Sequence, residues 1–341
     1  MLAAGERRWR DAGLDPAQVQ AMVRPDQAAV ANANRWLARP GRCLLGWDQP
    51  DYPELLGQIA APPLALFVEG DPALLWHPGV AVVGSRAATA GGRDHAATFA
   101  RALVAAGLSV VSGMAAGIDG AAHEAALACG GITVAVLGTG PDVAYPRRHA
   151  GLRARIAERG AVVSEHLPGT SALRSHFPSR NRILAGLSLA TLVVEAAQRS
   201  GALITARQAA ESGREVFAIP GSIHNPMARG CHRLIRDGAC LVQDPGQVLE
   251  ALGPMARQLG LALRERLQTA TPGPAQRTGK AEGAPDPDYN PLWQALGHDP
   301  TGMDLLAERT GLTTAQLSSM LLVMELDGRV AVEHGRYWRR S

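Results

Sequence analysis

Short apolar runs alternate with helical patterns through the middle of the chain. The six runs are VAVVG (80–84), LSVVS (108–112), ITVAVLG (132–138), AVVSE (161–165), ATLVVE (190–195) and EVFAIP (215–220). A stretch with helical periodicity follows each run. Uninterrupted apolar strands that alternate with helices are typical of a parallel sheet covered on both faces. The pattern predicts an α/β fold with a doubly wound parallel sheet.

Weaker patterns on either side of this region predict the domain limits. Two short helical patterns, at residues 15–23 and 27–37, predict a reduced helical N-terminal region at 1–46. The sheet domain then occupies 47–250. Residues 271–291 are rich in Pro, Gly and charge, which is typical of a flexible linker.

The last residues, 292–341, have the element order of a winged helix. A helix at 303–309, a turn at Gly311, a helix at 314–326 and a C-terminal hairpin are predicted. The second helix carries no Arg or Lys, so it would read duplex DNA poorly. The apolar residues of this helix, Leu317, Leu321, Leu322 and Leu326, are expected in the core. Only the arginines of the wing could contact phosphate: Arg329, Arg336, Arg339 and Arg340.

Composition changes the picture in two respects. The 341 residues include only 4% aromatic residues, which leaves little surface for stacking. The formal net charge is only +3, yet within residues 80–245 arginines outnumber acidic residues, so the basic charge is concentrated in the sheet domain.

The four cysteines lack zinc-site spacing and are expected as buried, reduced thiols. Without a signal-peptide pattern or a membrane-spanning run, a cytoplasmic protein is expected.

The loops that follow the strands are the places to search for a ligand site, because ligands bind at the carboxyl ends of the strands in such sheets. Gly84-Ser85-Arg86 follows the first run, Ser112-Gly113 and Gly117 follow the second, and Gly138-Thr139 follows the third. Glycine lets backbone amides approach a phosphate, and Ser and Thr supply donors. The loops lack GxGxxG with a following acidic residue and lack GxxxxGK[ST], so a nicotinamide cofactor and nucleotide hydrolysis are disfavoured.

The densest cluster of candidate residues lies just before the fifth run. It comprises Arg174, Phe177, Arg180, Asn181 and Arg182. Arginines can hold successive phosphates while Phe177 gives one base a stacking face. In the alternative interpretation, Arg180 and Arg182 form intramolecular pairs, Asn181 caps a helix and Phe177 belongs to the core.

Two carboxylate patterns suggest other chemistry. Asp119 and His123, four residues apart, resemble an acid–base pair, but without a third ligand they are more typical of a structural hydrogen bond at a helix start. Glu165 and Glu195 both end strands and could act together in a hydrolase. No nucleophile elbow or metal triad accompanies them, so we expect no catalytic residue and no metal.

At these residues the chain resembles the DNA-processing protein A family (DprA or Smf) of bacterial natural transformation. The resemblance begins near Trp47 and covers most of the chain. It is carried by Tyr52-Pro53, VAVVGSRAAT (80–89), VVSGMAAGIDGAAHEAAL (110–127), VAVLGTG (134–140), Tyr145-Pro146, Ser164-Glu165, HFPSRNRILAGLS (176–188), VVEAAQRSGALITARQAAESGREVFAIPG (193–221), Gly230, Leu234-Ile235 and Gly238-Ala239.

The resemblance implies an extended Rossmann-like domain that binds single-stranded DNA, forms a homodimer and loads the RecA recombinase onto incoming strands. The family's basic pocket corresponds to Gly84, Ser85 and Arg86 together with the cluster from Arg174 to Arg182, with Phe177 as the stacking residue. Arg174 occupies a position where the family often has lysine. The helical N-terminal region at 1–46 is shorter than the N-terminal domain that the resemblance implies. No cofactor and no membrane partner are implied.

A second interpretation is a Rossmann-like nucleotide hydrolase related to the nucleoside-monophosphate phosphoribohydrolases, with Glu195 or Glu165 catalytic. That group carries a PGGxGT motif, which this sequence lacks.

Overall fold

The structure is a computed structural model that describes residues 5–269, 290–296, 301–314, 317, 320–321, 324, 330–333 and 336–339. It divides into two compact units, Met1–Ala270 and Thr271–Ser341. None of the described helices is both long enough and apolar enough to cross a membrane.

The first unit is built on a sheet of nine strands in the order β1-β2-β6-β5-β4-β3-β7-β8-β9. The strands are β1 (Arg42–Gly46), β2 (Ala65–Gly70), β3 (Gly79–Val83), β4 (Ser109–Ser112), β5 (Thr133–Val136), β6 (Ala161–Ser164), β7 (Ala190–Val193), β8 (Glu215–Ala218) and β9 (Cys240–Leu241). From β6 to β9 all neighbours are parallel. The chain winds outward from β3 to β6 and then, from β7, in the other direction. The doubly wound sheet predicted from the sequence is thereby confirmed.

The first unit has eleven described α-helices, several of which cover the two faces of this sheet. They are α1 (Gly5–Asp11), α2 (Pro16–Val23), α3 (Gln27–Leu37), α4 (Glu54–Gly57), α5 (Ala90–Ala105), α6 (Ile118–Ala128), α7 (Ala150–Arg159), α8 (His176–Gly186), α9 (Ala202–Glu211), α10 (Arg229–Arg236) and α11 (Pro245–Thr269). Their starts follow local chemistry: the Thr89 hydroxyl accepts from Gly92 N at the start of α5, and Asp15 and Gln18 form a capping box on α2.

Successive residues of each strand point to opposite faces, which separates two cores. Val83 and Val111 pack with α4, α8, α9 and α10 on one face. Val82 and Val110 pack with α5, α6 and α11 on the other. Strands β3 to β7 are buried along their whole length, which explains why their sequences are apolar without alternation.

The edge formed by β1 and β2 differs from the expectation of an all-parallel sheet. β1 pairs antiparallel with β2, and β2 pairs antiparallel with β6. Residues 42–46, which the sequence analysis placed in the helical N-terminal region, therefore form the first strand of the main sheet. Trp36 of α3 packs edge-on against Phe67 of β2 with ring centroids 5.7 Å apart, so the helical lead-in is attached to this edge.

The second unit contains α12 (Asn290–Ala295), β10 (Thr301–Gly302), α13 (Met303–Thr310), β11 (Val330–Glu333) and β12 (Arg336–Arg339). Its antiparallel sheet has the order β10-β12-β11. Leu317 and Leu321 are buried in its core, as predicted. Arg339 donates to the Trp293 carbonyl and lies over the Trp293 ring, so it is engaged within the unit. Leu322, Leu326, Arg329 and Arg340 lie outside the described residues, as does the side chain of Arg336.

The expectation of four buried thiols is wrong for three of the cysteines. All four are free, but only Cys231 is buried; Cys43 is half-buried, and Cys129 and Cys240 are exposed. Cys240 lies in the short edge strand β9, which has a neighbour on one side only, and Cys129 caps the C-terminus of α6. Burial raises the pKa of Cys231 to about 11, so this thiol stays protonated at neutral pH.

Candidate nucleic-acid interface

A cavity of about 690 Å³ lies at the carboxyl ends of the neighbouring strands β3 and β7, where the connections that follow them run in opposite directions. This is the position at which open doubly wound sheets bind their ligands, because the loops there turn in opposite directions. We call it the switch-point cavity. Of the residues predicted from the sequence, those that line it are Gly84, Ser85, Arg86, Arg174, Phe177, Arg180 and Asn181.

The loop after β3, which carries Arg86, is held at its start by backbone contacts. Ser85 N donates to the Glu195 carbonyl at 2.7 Å, and Ile118 N donates to the Ser85 carbonyl at 3.2 Å. Gly117 has a φ of +80°, and a Cβ at this position would lie 2.2 Å from the Ser85 carbonyl oxygen. Only glycine allows this approach, so Gly117 supports the loop from beneath and is absent from the cavity lining.

The far end of the same loop is anchored by the Glu195 carboxylate. Thr89 donates to it through its hydroxyl at 2.6 Å and through its backbone N at 2.9 Å. Asn225 Nδ2 lies 3.4 Å away. Glu195 is only 7% exposed, and its charge lies at the N-terminus of α5, where the helix dipole favours an anion. Glu195 thus fixes the loop on both sides of Arg86.

Two aromatic rings form one wall of the cavity. Phe177 and Tyr145 lie with ring centroids 5.1 Å apart at 42°. The Arg86 Cζ lies 5.0 Å from the Phe177 centroid, so its guanidinium covers one face of that ring. Gly138 sits behind the phenyl ring, where a Cβ would be 3.0 Å from Phe177 Cδ1. Tyr145 is 43% exposed, so a ring face remains accessible for stacking.

Three exposed arginines surround the cavity: Arg86, Arg174 and Arg199. Within the part of the chain that the structure describes, none of the three forms an ion pair with a carboxylate. Unpaired guanidinium groups on a concave surface offer fixed, bidentate donors to phosphate.

Arg180 also lines the cavity, but it is almost completely buried and has a different role. It is 3% exposed and donates to the Val136 carbonyl, and its guanidinium occupies the space that a Cβ on Gly113 would fill. Burial lowers its pKa to about 10, although Asp119 acts in the opposite direction. Burial likewise raises the pKa of Asp119, which accepts from Gly113 N at 3.1 Å and Ala115 N at 3.3 Å. Each charge lowers the cost of burying the other. Because Asp119 lines the same cavity, it offsets the charge of Arg180 there.

Arg182 points away from the cavity, as the alternative interpretation of the cluster suggested. Its guanidinium forms a bidentate pair with Glu165 at 2.9 and 2.6 Å and donates to the Ala61 carbonyl. The side chains are 23% and 17% exposed, so this is a largely buried structural pair. The reason is helical geometry: Arg182 lies two residues after Arg180 on α8 and so faces another direction.

Other predicted residues support the site through hydrogen bonds to neighbouring segments. The Ser112 hydroxyl donates to the Val82 carbonyl at 2.6 Å, and the Thr139 hydroxyl donates to the Val143 carbonyl at 2.6 Å. Asn181 lines the cavity and donates to the Gly201 carbonyl at 3.3 Å, which ties α8 to the start of α9. His123 is buried against the Thr133 hydroxyl, so it and Asp119 bind different groups.

The sequence analysis did not include Tyr145 and Arg199 among the site residues. Tyr145 appeared only within a quoted motif, and Arg199 follows the fifth apolar run. Both lie in connections that follow strands, on the carboxyl side of the sheet, where the search rule places ligand residues. The same rule, applied further along the connection after β5 and to the connection after β7, identifies both residues.

Comparisons with known proteins agree with this architecture. The model of the family described as DNA recombination-mediator protein A matches residues 43–253, and that of the DprA winged helix domain matches residues 274–336. Protein Smf of Escherichia coli K12 is 41% identical over 329 residues, covering 96% of this chain and 85% of that protein.

Two solved structures are also similar. The X-ray structure of DNA processing protein A from Streptococcus pneumoniae has 41% identity and a TM-score of 0.67, covering 73% of this chain and 86% of that one. A structure of DNA processing protein A from Helicobacter pylori, described as showing its single-stranded DNA binding mode, has 28% identity and a TM-score of 0.55. It covers 59% of this chain and 92% of that one.

Proposed function

The chain belongs to the DNA recombination-mediator protein A family, and from that premise we propose that it binds single-stranded DNA in the switch-point cavity. The observation that carries this proposal is the set of unpaired arginines, Arg86, Arg174 and Arg199, beside two aromatic rings. A single strand presents both phosphates and unpaired base faces, and this wall offers a partner for each. The description of the Helicobacter pylori relative supports the same ligand class.

The contacts divide into two kinds. Arg86, Arg174 and Arg199 hold successive phosphates, whereas the charge of the buried Arg180 is offset by Asp119. Base faces stack on the exposed ring of Tyr145. The Arg86 guanidinium lies over the ring of Phe177, so a base stacks on Phe177, the stacking residue that the resemblance implies, only when this guanidinium moves to a phosphate. Because stacking and phosphate contacts carry no base-edge readout, the strand is bound with little dependence on sequence.

The biological role follows from the family resemblance. The protein protects incoming single strands and loads the RecA recombinase onto them during natural transformation and homologous recombination, in the cytoplasm. It acts as a homodimer. Light scattering on the purified chain tests the dimer, and RecA filament assembly on strands precoated with single-strand-binding protein tests the loading. A monomer contradicts the first, and unchanged assembly contradicts the second.

The C-terminal unit carries the DprA winged helix domain, and we propose that it contacts protein or plays an auxiliary role. Arg339 of its wing is engaged with Trp293. Removal of residues 271–341 is expected to leave single-strand affinity within about twofold. A tenfold loss of affinity contradicts this assignment.

Charge reversal tests the site directly. Arg86→Glu with Arg174→Glu removes two phosphate contacts of about 1.5–3 kcal/mol each, so affinity for a short single strand falls at least about 100-fold. Arg101→Glu with Arg159→Glu is the matched control, because both arginines are exposed and neither lines the cavity. Unchanged binding in the Arg86→Glu, Arg174→Glu variant would contradict the assignment of the site.

The hydrolase interpretation has little support in the geometry. Glu165 is occupied by Arg182, and Glu195 by Thr89 and Asn225. Neither carboxylate is placed to act on a ligand in the cavity, since neither lines it. Release of free base from a mononucleotide, lost in Glu195→Gln, would revive that interpretation.

A further inference from the structure

A second concave surface adjoins the switch-point cavity. This groove has a volume of about 740 Å³ and lies between α9 and α10, with Val216 of β8 in its lining. Arg199 and Ser200 line both the cavity and the groove. The two surfaces are therefore continuous across the loop between β7 and α9.

The groove follows the length of α9. It begins beside Arg199 at the carboxyl edge of the sheet and reaches Arg214, just before β8 starts at Glu215. The ten residues of α9 span about 15 Å, which is more than one nucleotide of an extended strand can cover. A strand entering here would occupy several nucleotides beyond the cavity.

The chemistry of the groove is amphipathic in the way a single strand requires. Leu203, Ile204 and Leu234 supply apolar surface, and Ile204 is 38% exposed. Arg207 and Arg233 supply charge, and both are exposed. Apolar surface can take base faces, and guanidinium groups can take phosphates.

The arginines of the groove differ in their availability. Arg207 has no hydrogen bond or ion pair within the described part of the chain. Arg233 pairs with Asp237 at 3.4 Å, but the side chains are 54% and 62% exposed, so this pair is weak and can exchange for a phosphate. Arg214 donates to the Leu55 carbonyl and to Gln58, and so belongs to the structure.

We propose that the groove between α9 and α10 is a second subsite for the same DNA strand, in which Arg207 and Arg233 bind phosphates beyond the cavity. This proposal rests on the proposed function of the cavity. Continuity through Arg199 and Ser200 favours the strand as occupant, because DNA held in the cavity meets the groove at its rim. The subsite makes affinity depend on strand length.

The test compares a strand of ~4 nucleotides, whose three internucleotide phosphates match the three arginines of the cavity, with one of ~20 nucleotides. In Arg207→Ala with Arg233→Ala, affinity for the long strand falls roughly tenfold, and its dependence on log salt decreases by about 1.4, at about 0.7 per lost phosphate contact. The short strand binds as before. Arg101→Ala with Arg159→Ala, outside the groove, changes neither strand.

Two results would contradict the proposed subsite, and both can be distinguished from a result that contradicts DNA binding in the cavity. Unchanged affinity and salt dependence for the long strand, with Arg86→Ala still weakening both strands, removes the groove from the DNA path. Equal weakening of both strands by the groove variant also contradicts it. If Arg86→Ala weakens neither strand, the cavity assignment itself has failed. Both groove residues are exposed, and an unchanged melting temperature establishes that the variant is folded.

Discussion

Gly117→Ala is the substitution that most sharply connects the backbone of this fold with its proposed DNA site. The residue has φ +80° and ψ −122°, a region that side-chain-bearing residues rarely adopt. The added Cβ would lie 2.2 Å from the Ser85 carbonyl oxygen and 2.8 Å from that of Arg86. Because both contacts are backbone atoms, the loop carrying Arg86 must move by about 1 Å to reach an ordinary contact distance.

The free energy of unfolding should fall by the sum of two terms. The backbone conformation costs about 1–3 kcal/mol with a side chain present. Displacing the loop costs another ~1–3 kcal/mol and strains the hydrogen bond from Ile118 N to the Ser85 carbonyl. A loss of about 2–6 kcal/mol lowers the melting temperature by roughly 5–20 °C for a unit of this size.

Gly107→Ala provides the matched control. Its φ is +76°, but no atom lies within 4 Å of an added Cβ, so the Gly107→Ala variant loses stability only through its backbone conformation. Thermal unfolding by circular dichroism and single-strand binding by fluorescence anisotropy are measured for both variants. Gly117→Ala should lose more stability and at least about tenfold in affinity, because Arg86 is displaced, whereas Gly107→Ala keeps wild-type affinity. Equal stability and equal affinity in the two variants would refute the reasoning.

Three further predictions separate structural from binding residues. Arg182→Ala should lower the free energy of unfolding by about 2–4 kcal/mol, because Glu165 is left largely buried without its partner, while the single-strand affinity of the folded protein is unchanged. Denaturant unfolding measures the stability and fluorescence anisotropy measures the affinity; a loss of affinity without a loss of stability contradicts this prediction. Tyr145→Ala should weaken binding by about 1–3 kcal/mol, and Tyr145→Phe should restore it, unless stacking plays no part. Burial lowers the pKa of His123 from its ordinary 6.5 to about 3, so the unfolded chain binds the proton first as pH falls. The free energy of unfolding should therefore decrease by up to ~1.4 kcal/mol per pH unit between about pH 6.5 and pH 3. His123→Gln should reduce this pH dependence when unfolding in urea is measured at several pH values, and an unchanged pH dependence contradicts the prediction.

The sequence predicted the centre of the fold well because burial on both faces leaves a clear signal. Each of the strands β4 to β8 falls within a predicted apolar run, and β3 begins one residue before its run, at Gly79. The edge strand β1 was missed because RCLLG, half-exposed and antiparallel, is short and follows helical patterns. The sequence analysis assigned no element to residues 251–270, most of which belong to α11.

The candidate site was predictable as a region but not residue by residue. Spacing placed arginines near the carboxyl ends of the strands, yet it could not tell that Arg182 turns to Glu165 or that Arg180 is buried over Gly113. Those outcomes depend on which face of α8 meets the sheet, a tertiary property. Arg199 lies in the connection after β7 at the carboxyl edge of the sheet, so the position of ligand sites in such sheets indicates this residue from the sequence as well.

The central claim, that the switch-point cavity binds single-stranded DNA through arginine contacts to phosphate, is tested most directly by anisotropy with one short single strand and its duplex at two salt concentrations. We predict tighter binding of the single strand. Log affinity should fall linearly with log salt, with a slope of about −2 if three phosphates are contacted. Equal or tighter binding of the duplex, or affinity that does not change with salt, would contradict the account.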